Sequence, residues 1–349
     1  MLSLIRKVFV LVVAGVFALA AYAAWYALTP IEATAYPAEF QVAPGSGLRS
    51  VARQIEAGGV AVGRLRFELL TRVLGRSQEI KAGSYELEAA INPLQLLDKL
   101  TRGDVTQSEL TLIEGWTFRQ FRAAIDANPA LKGDSRGLSD EEILKRIGAT
   151  GSHPEGLFFP DTYLFSKNAS DFDVLRRAYA SMQRHLEQEW LARDQKTPYR
   201  SQYEALVMAS IIEKETGKAE ERDLVGGTLV NRLRIGMRLQ VDPTVIYGLG
   251  ANFDGNLRRR DLLADGPYNT YIRGGLPPTP IAMPGLASLR SALRPAHTLT
   301  LYYVARGDGT SQFSRTLDEH NRAVTQYQKL PARKAAAAGR APGRAGVAE

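Results

Sequence analysis

The sequence predicts an α+β protein: one apolar N-terminal helix, a small mixed module, then a larger mixed domain. Three observations predict it. Residues 8–28, VFVLVVAGVFALAAYAAWYAL, carry no charge for about 21 residues, enough for a helix to cross a hydrocarbon core of roughly 30 Å. Between Phe40 and Gly103, short alternating segments bracket segments of helical period. From Leu110 to about Leu330, strand-like runs and amphipathic stretches follow one another without a repeat. Composition agrees with a folded chain: of 349 residues, 45% are hydrophobic and 23% charged, within the ordinary globular range.

The N-terminal run comes first. Arg6 and Lys7 precede it, and the next charge is Glu32. The positive-inside rule then keeps residues 1–7 cytoplasmic and exports all that follows, as a single-pass protein of the cytoplasmic (inner) membrane. Trp25 and Tyr26 fall where an interfacial aromatic belt would lie. Ala-x-Ala patterns at Ala18/Ala20 and Ala21/Ala23 offer the rival reading of a cleaved signal, but the apolar run continues past them, which favours an uncleaved anchor.

After a linker at 29–38 with Pro30 and Pro37, a module spans 39–105. Phe40 and Val42 alternate as a strand, and Pro44-Gly45-Ser46-Gly47 turns the chain, with Ser46 or Ser50 as cap candidates. Leu48, Val51, Ala52 and Ile55 recur at helical spacing up to Gly58-Gly59. A second helix is expected over 65–74, a returning strand over 80–87, and a helix opened by Pro93 that carries Leu96, Leu97 and Leu100. This strand-helix-helix-strand order resembles the LysM-like module, which is associated with glycans containing N-acetylglucosamine. A generic α+β spacer has the same pattern. The larger domain, 106–330, starts with LTLIEGWTFRQFRAAI, a strand then a helix with Phe118, Phe121 and Ile125. A helix around 140–147, the aromatic-rich EGLFFPDTYLF and an amphipathic helix over 172–191 follow. Beyond Pro331, the Ala/Gly/Pro/Arg-rich tail, 331–349, reads as disordered.

Composition narrows the chemistry. The formal charge is 44 − 37 = +7, but Arg6, Lys7, Arg333, Lys334, Arg340 and Arg344 sit at the two ends, so the excess does not point to nucleic acid. With no Cys there is no thiol nucleophile, disulfide or cysteine metal site. His153, His185, His297 and His320 are far apart and lack ligand spacing, so neither a metal nor any other cofactor is expected.

Residues 203–217, YEALVMASIIEKETG, read as a helix buried on every side from Ala205 to Ile212 and ending in Glu213, Lys214 and Glu215, with Gly217 as its C-terminal cap. Glu213 shares a face with Leu206, Ala209 and Ser210. Burial, the negative end of the helix dipole and Glu215 all disfavour an ionised Glu213, whereas Lys214 favours it; a proton donor needs that kind of balance. A solvated pair at a helix end is the bland alternative. The next helix continues to about Ile235, with Val225, Leu229 and Leu233 along one side and Gly226-Gly227 permitting close packing. Gln240, Asp242 and Thr244 are placed in a turn around Pro243. YNTYIRGGLPPTPIAMPG, 268–285, offers a stiff aromatic and proline-rich surface of the kind on which sugar rings pack.

Taken in order, ASIIEKET, NRLRIGMRLQVDPTVIYGLG, YNTYIRGGLPPTPIAMPG and DEHNRAV resemble the endolytic murein transglycosylase family, the YceG-like group, and TLIEGWTF and EGLFFPDTYLF fit the front of the same domain. The resemblance implies a lyase that cuts the β-1,4 bond between N-acetylmuramic acid and N-acetylglucosamine inside peptidoglycan glycan strands, leaving 1,6-anhydro ends and terminating nascent strands. It implies Glu213 as the catalytic acid and base. By position, Gln240, Asn269 and Tyr271 become substrate-binding candidates. Glycan strands, the membrane and peptidoglycan synthases are the expected partners. Two rivals follow: a hydrolytic muramidase, needing a second carboxylate for which Glu215 and Asp242 are the candidates, and a silent glycan-binding scaffold.

Overall fold

The computed structural model describes residues 2–151 and 153–329; the tail expected at 331–349 lies outside them. The chain forms two compact units, one made of residues up to 109 together with 164–169, the other of 110–163 and the chain from 170 onward.

In the first unit, α1 (Leu2–Leu28) is a continuous helix whose stretch Leu4–Leu28 is long and apolar enough to cross a bilayer. Its aromatic end divides. Trp25 stays exposed, whereas Tyr26 is buried and donates its hydroxyl to the Val62 carbonyl at 2.6 Å, with the Arg66 guanidinium over its ring. Tyr26 therefore fastens α1 to the module instead of joining an interfacial belt. The strand-helix-helix-strand order is present: β1 (Ala38–Val42), α2 (Leu48–Ala57), α3 (Arg64–Val73), β2 (Gly83–Leu87), then α4 (Pro93–Arg102). Strands β1 and β2 pair antiparallel with Phe40 opposite Tyr85, whose rings stack at 5.5 Å. Val51, Ile55, Phe67, Leu96, Leu97 and Leu100 close the core over them. The cap of α2 is Gly47, without a side-chain bond. Ser46 and Ser50 instead accept from the Gln54 amide, because that longer side chain spans the turn.

In chain order there follow β3 (Gln107–Thr111), α5 (Phe118–Ala127), α6 (Asp140–Ile147), β4 (Thr162–Ser166), α7 (Asp171–Leu191), α8 (Gln202–Glu215), α9 (Arg222–Arg234), α10 (Asp242–Leu249), α11 (Arg259–Leu263), α12 (Leu286–Leu293), β5 (Tyr302–Ala305), β6 (Ser311–Ser314) and α13 (Leu317–Val324). Strand β3 pairs with β4 and β5 with β6. The boundary between the units falls within β3 and again within β4.

The centre of the second unit is α8. Every side chain from Ala205 to Ile212 is buried, because α7, α9, α10 and α12 all pack on it. Close approach of α9 depends on its glycine pair: a Cβ on Gly227 would lie 2.6 Å from the Ala296 carbonyl oxygen, and one on Gly226 would press on Ser291. Two local expectations are corrected. Helix α8 ends at Thr216, whose hydroxyl donates to the Ile212 carbonyl at 2.7 Å, so Gly217 is not the cap. The expected turn around Pro243 is α10, which Pro243 enters in its first turn, where its missing N–H costs nothing.

Candidate active site

The last turn of α8 carries two carboxylates, and the helix sends them apart. At 100° per residue, Glu213 and Glu215 differ by roughly 200° around the axis.

Glu213 is half-buried, and its Oε2 accepts the backbone N–H of Gly285 at 3.0 Å. Gly285 caps the N-terminus of α12, so the donor sits at the positive end of a helix, a place that favours negative charge. The segment that delivers it, 280–285, is buried: Ile281 donates its N–H to Ser210 Oγ at 3.0 Å, and Met283 exchanges backbone bonds with Trp116 at 2.7 Å and Gly115 at 2.9 Å. This end of the proline-rich stretch is thus interior scaffolding and not an open sugar platform.

The loop after β3 closes the other side. Lys214 donates to the Gly115 carbonyl at 3.2 Å, and the Glu213 side chain passes over Gly115. Glu114 is exposed as a residue, yet its carboxyl end turns in against Gly285, where a Cβ would overlap it. Burial of that carboxyl and the nearby charge of Glu213 push the Glu114 pKa up, and Arg222 opposes them. The carboxylate beside Glu213 is therefore Glu114, not Glu215 or Asp242. Arg222 reaches the same region with its Nε buried and, among the described residues, unpartnered.

Glu215 faces the opposite way, into an open cleft of about 610 Å³ that Arg232, Gln240, Asp242, Tyr271, Tyr302, Tyr303 and His320 help to line. The Tyr303 hydroxyl donates to Glu215 Oε2 at 2.8 Å, and that of Tyr271 to Asp242 Oδ1 at 2.5 Å. Burial lifts Glu215 to about 7; the Tyr303 bond opposes this, the Asp242 charge adds to it, and Arg232 opposes it. Arg232 spends its guanidinium on the Leu301 and Leu239 carbonyls, so it braces the wall more than it offers donors to a ligand.

Two substrate candidates, Gln240 and Tyr271, line this cleft. Gln240 is exposed and holds a left-handed backbone, φ 53°, which is uncommon outside glycine, Asn and Asp. Asn269 sits elsewhere. It is 4% exposed, its amide donates to the carbonyls of Asp261, Leu262 and Ala264, and its Oδ1 accepts from the Tyr271 N–H. It shapes the loop that presents Tyr271. Among the described residues, no group of three or more His, Asp or Glu side chains converges as metal ligands would.

Sequence reasoning passed over Glu114 and Glu155. Glu155 is 3% exposed, accepts from the Phe118 N–H at 2.9 Å and the Tyr247 hydroxyl at 3.0 Å, and is raised to about 7 by burial. Both glutamates lie inside quoted motifs, TLIEGWTF and EGLFFPDTYLF, which was the available signal.

An α+β unit built around one buried helix, with acids emerging at its C-terminal end, is the architecture that relatives can be compared with. The chain belongs to the YceG-like family, whose sequence profile matches residues 40–326. It is similar to the endolytic murein transglycosylase of Bacillus subtilis, 30% identical over 300 residues, covering 81% of this chain and 82% of the relative. It is also similar to the endolytic murein transglycosylase of Streptococcus pneumoniae, 25% identical over 328 residues, where it spans 57% of the relative's length. A crystal structure of a YceG-like protein from Listeria monocytogenes superposes with a TM-score of 0.54 at 31% identity, over 81% of this chain and 97% of that one.

Proposed function

We propose that the chain is a membrane-anchored endolytic lytic transglycosylase that cuts peptidoglycan glycan strands with Glu213 as acid and then base. The observation that carries this reading is the half-buried Glu213 carboxyl, held by the Gly285 N–H on the last turn of an otherwise sealed helix. A group so fixed can meet a glycosidic oxygen without reorganising. The names of the relatives support the substrate class.

In the proposed cycle Glu213 gives its proton to the bridging oxygen, and the bond from that oxygen to the muramic C1 breaks. The electron-poor C1 is captured by the C6 hydroxyl of the same sugar, whose proton returns to Glu213. Atoms balance without water, and the intramolecular nucleophile benefits from a high effective molarity. Gln240 and Tyr271 would contact the strand where it runs on past the end of α8 into the Glu215 cleft, with Asn269 holding the Tyr271 loop. The α1 helix would be the single-pass anchor, residues 39–105 a LysM-like glycan-positioning module, and peptidoglycan synthases the neighbours whose strands are terminated.

Glu213→Gln keeps the shape but removes the proton and should lower turnover on uncapped strands about 10²- to 10⁴-fold in a folded protein. Mass analysis of the wild-type fragments should show internal cuts and anhydro ends, one water lighter than hydrolysis products. Near-normal turnover by Glu213→Gln refutes the assignment. Reducing ends would favour the hydrolytic muramidase, for which Glu114, beside Glu213, is the available second carboxylate. Activity lacking altogether in the wild type would favour the scaffold.

A further inference from the structure

We infer that Glu114 and Glu213 work as one unit that holds a single proton between them, Glu114 being a positioning residue that acts through Glu213. This rests on the reading of Glu213 given above and assigns a role to a residue outside the EKET segment.

The geometry centres on Gly285. Its N–H is given to Glu213, and the bare face of its Cα is filled by the Glu114 carboxyl. Any side chain at 285 would expel that carboxyl, so the glycine is required by a close approach and not by its backbone, which is extended at φ −79°, ψ 174°. Two acids thus converge where there is one fixed backbone donor and one helix N-terminus. Those can satisfy one negative charge. A second full charge beside it would be repelled, and two such carboxyls commonly share a proton.

The surrounding charges permit this. From α8, Lys214 points to the Gly115 carbonyl and remains exposed. From the start of α9, Arg222 pulls the Glu114 pKa down, while burial and Glu213 push it up and prevail. On the α12 side, the Gly285 N–H and the helix end favour a single anion. Glu215 and Asp242 belong to the cleft lined by Tyr271 and Tyr303. The unit has one use: the pair keeps its one proton to higher pH than a single carboxyl would, and once Glu213 has passed that proton on, the Gly285 N–H holds its carboxylate.

The test is the pH dependence of strand cleavage by the full chain in detergent, using uncapped glycan strands and comparing wild type, Glu114→Gln and Gly285→Ala. Removing Glu114 uncouples the pair and should move the alkaline limb of kcat/KM to lower pH by about one unit, a tenfold loss on that limb. Gly285→Ala keeps the N–H but displaces the Glu114 carboxyl, so it should move the limb the same way and serves if Glu114→Gln does not fold. Profiles lowered at all pH values with the limb unmoved in both variants would make Glu114 a packing residue and overturn the inference. Wild-type cleavage that survives Glu213→Gln would instead overturn the reading beneath it, and the inference with it.

Discussion

Replacing Glu155 by Gln should stabilise the protein at neutral and alkaline pH while leaving it nearly unchanged in acid. Glu155 is 3% exposed, and its pKa is raised from 4.5 to about 7, chiefly by burial; the Phe118 N–H and the Tyr247 hydroxyl oppose that rise, Asp140 adds to it and Arg119 opposes it. The folded state therefore binds this proton more tightly than the unfolded chain does. A group of that kind contributes stability that is complete below the unfolded pKa and is lost as pH rises through the folded one. The shift of about 2.5 units is worth roughly 3 kcal/mol at full effect. Gln imitates the protonated acid: its carbonyl can accept from Phe118, and the Tyr247 hydroxyl can rotate to accept from the amide. For a unit of this size, roughly 3 kcal/mol is about 6–12 °C in Tm. The assay is thermal unfolding of both full-length proteins from pH 4 to pH 8.5, read as the Tm difference, which cancels every other titrating group. The variant should draw level near pH 4.5 and gain steadily up to about pH 7. A difference that stays flat across this range would mean that Glu155 is ionised in the folded protein and would refute the reasoning.

Gly227→Ala should cost about 1–3 kcal/mol by overpacking against the Ala296 carbonyl, measured as a fall in Tm. An unchanged Tm would show that α9 and the 296 loop can part freely. Gln240→Gly should stay within about 1 kcal/mol of wild-type stability, because relief of the left-handed backbone offsets the extra freedom of the unfolded chain. The same variant should raise KM for glycan strands, and an unaltered KM would remove Gln240 from the proposed substrate contacts. Tyr26→Phe should lower the stability of the first unit by about 1 kcal/mol through the lost bond to Val62, detectable as faster amide exchange near residue 62. Equal exchange in both proteins would mean that α1 is not fastened there.

Local pattern carried most of the fold. The period of Leu96, Leu97 and Leu100 in α4 follows from burial of one helix face, the alternation of Phe40 and Val42 in β1 from burial of one strand face, and the unbroken apolar run of α8 from burial all round. The errors fall where a choice depends on distant partners. Ser46 and Ser50 had the right chemistry to cap α2, but Gln54 reaches them first. Tyr26 had the right chemistry for a membrane interface, but the Val62 carbonyl is within reach. Pro243 suits a turn as well as a helix start, and only the Thr244 hydroxyl's bond to Val241 at 2.8 Å and its contact with Thr270 show which one forms.

The site divides along the same line. The place of Glu213 at the end of a buried helix was legible because the run before it is too apolar to lie on a surface, a property of consecutive residues. Its neighbour was not, because Glu114 lies about a hundred positions upstream and comes beside Glu213 only in the fold, where both carboxyls reach Gly285, a third segment. Sequence proximity nominated Glu215 instead, yet on a helix a residue two positions away points to the opposite side. That geometry makes separate uses of the two acids of the EKE triplet: Glu213 turns to the loop after β3 and the cap of α12, and Glu215 turns to the tyrosines of the neighbouring cleft. The proposed proton donor and a wall of the neighbouring cleft are thus placed by one rigid helix end, so that displacement of α8 would disturb both together. The buried packing of α7, α9, α10 and α12 around α8 is what prevents that displacement, and it gives the otherwise plain apolar run ALVMASII a part in positioning both acids.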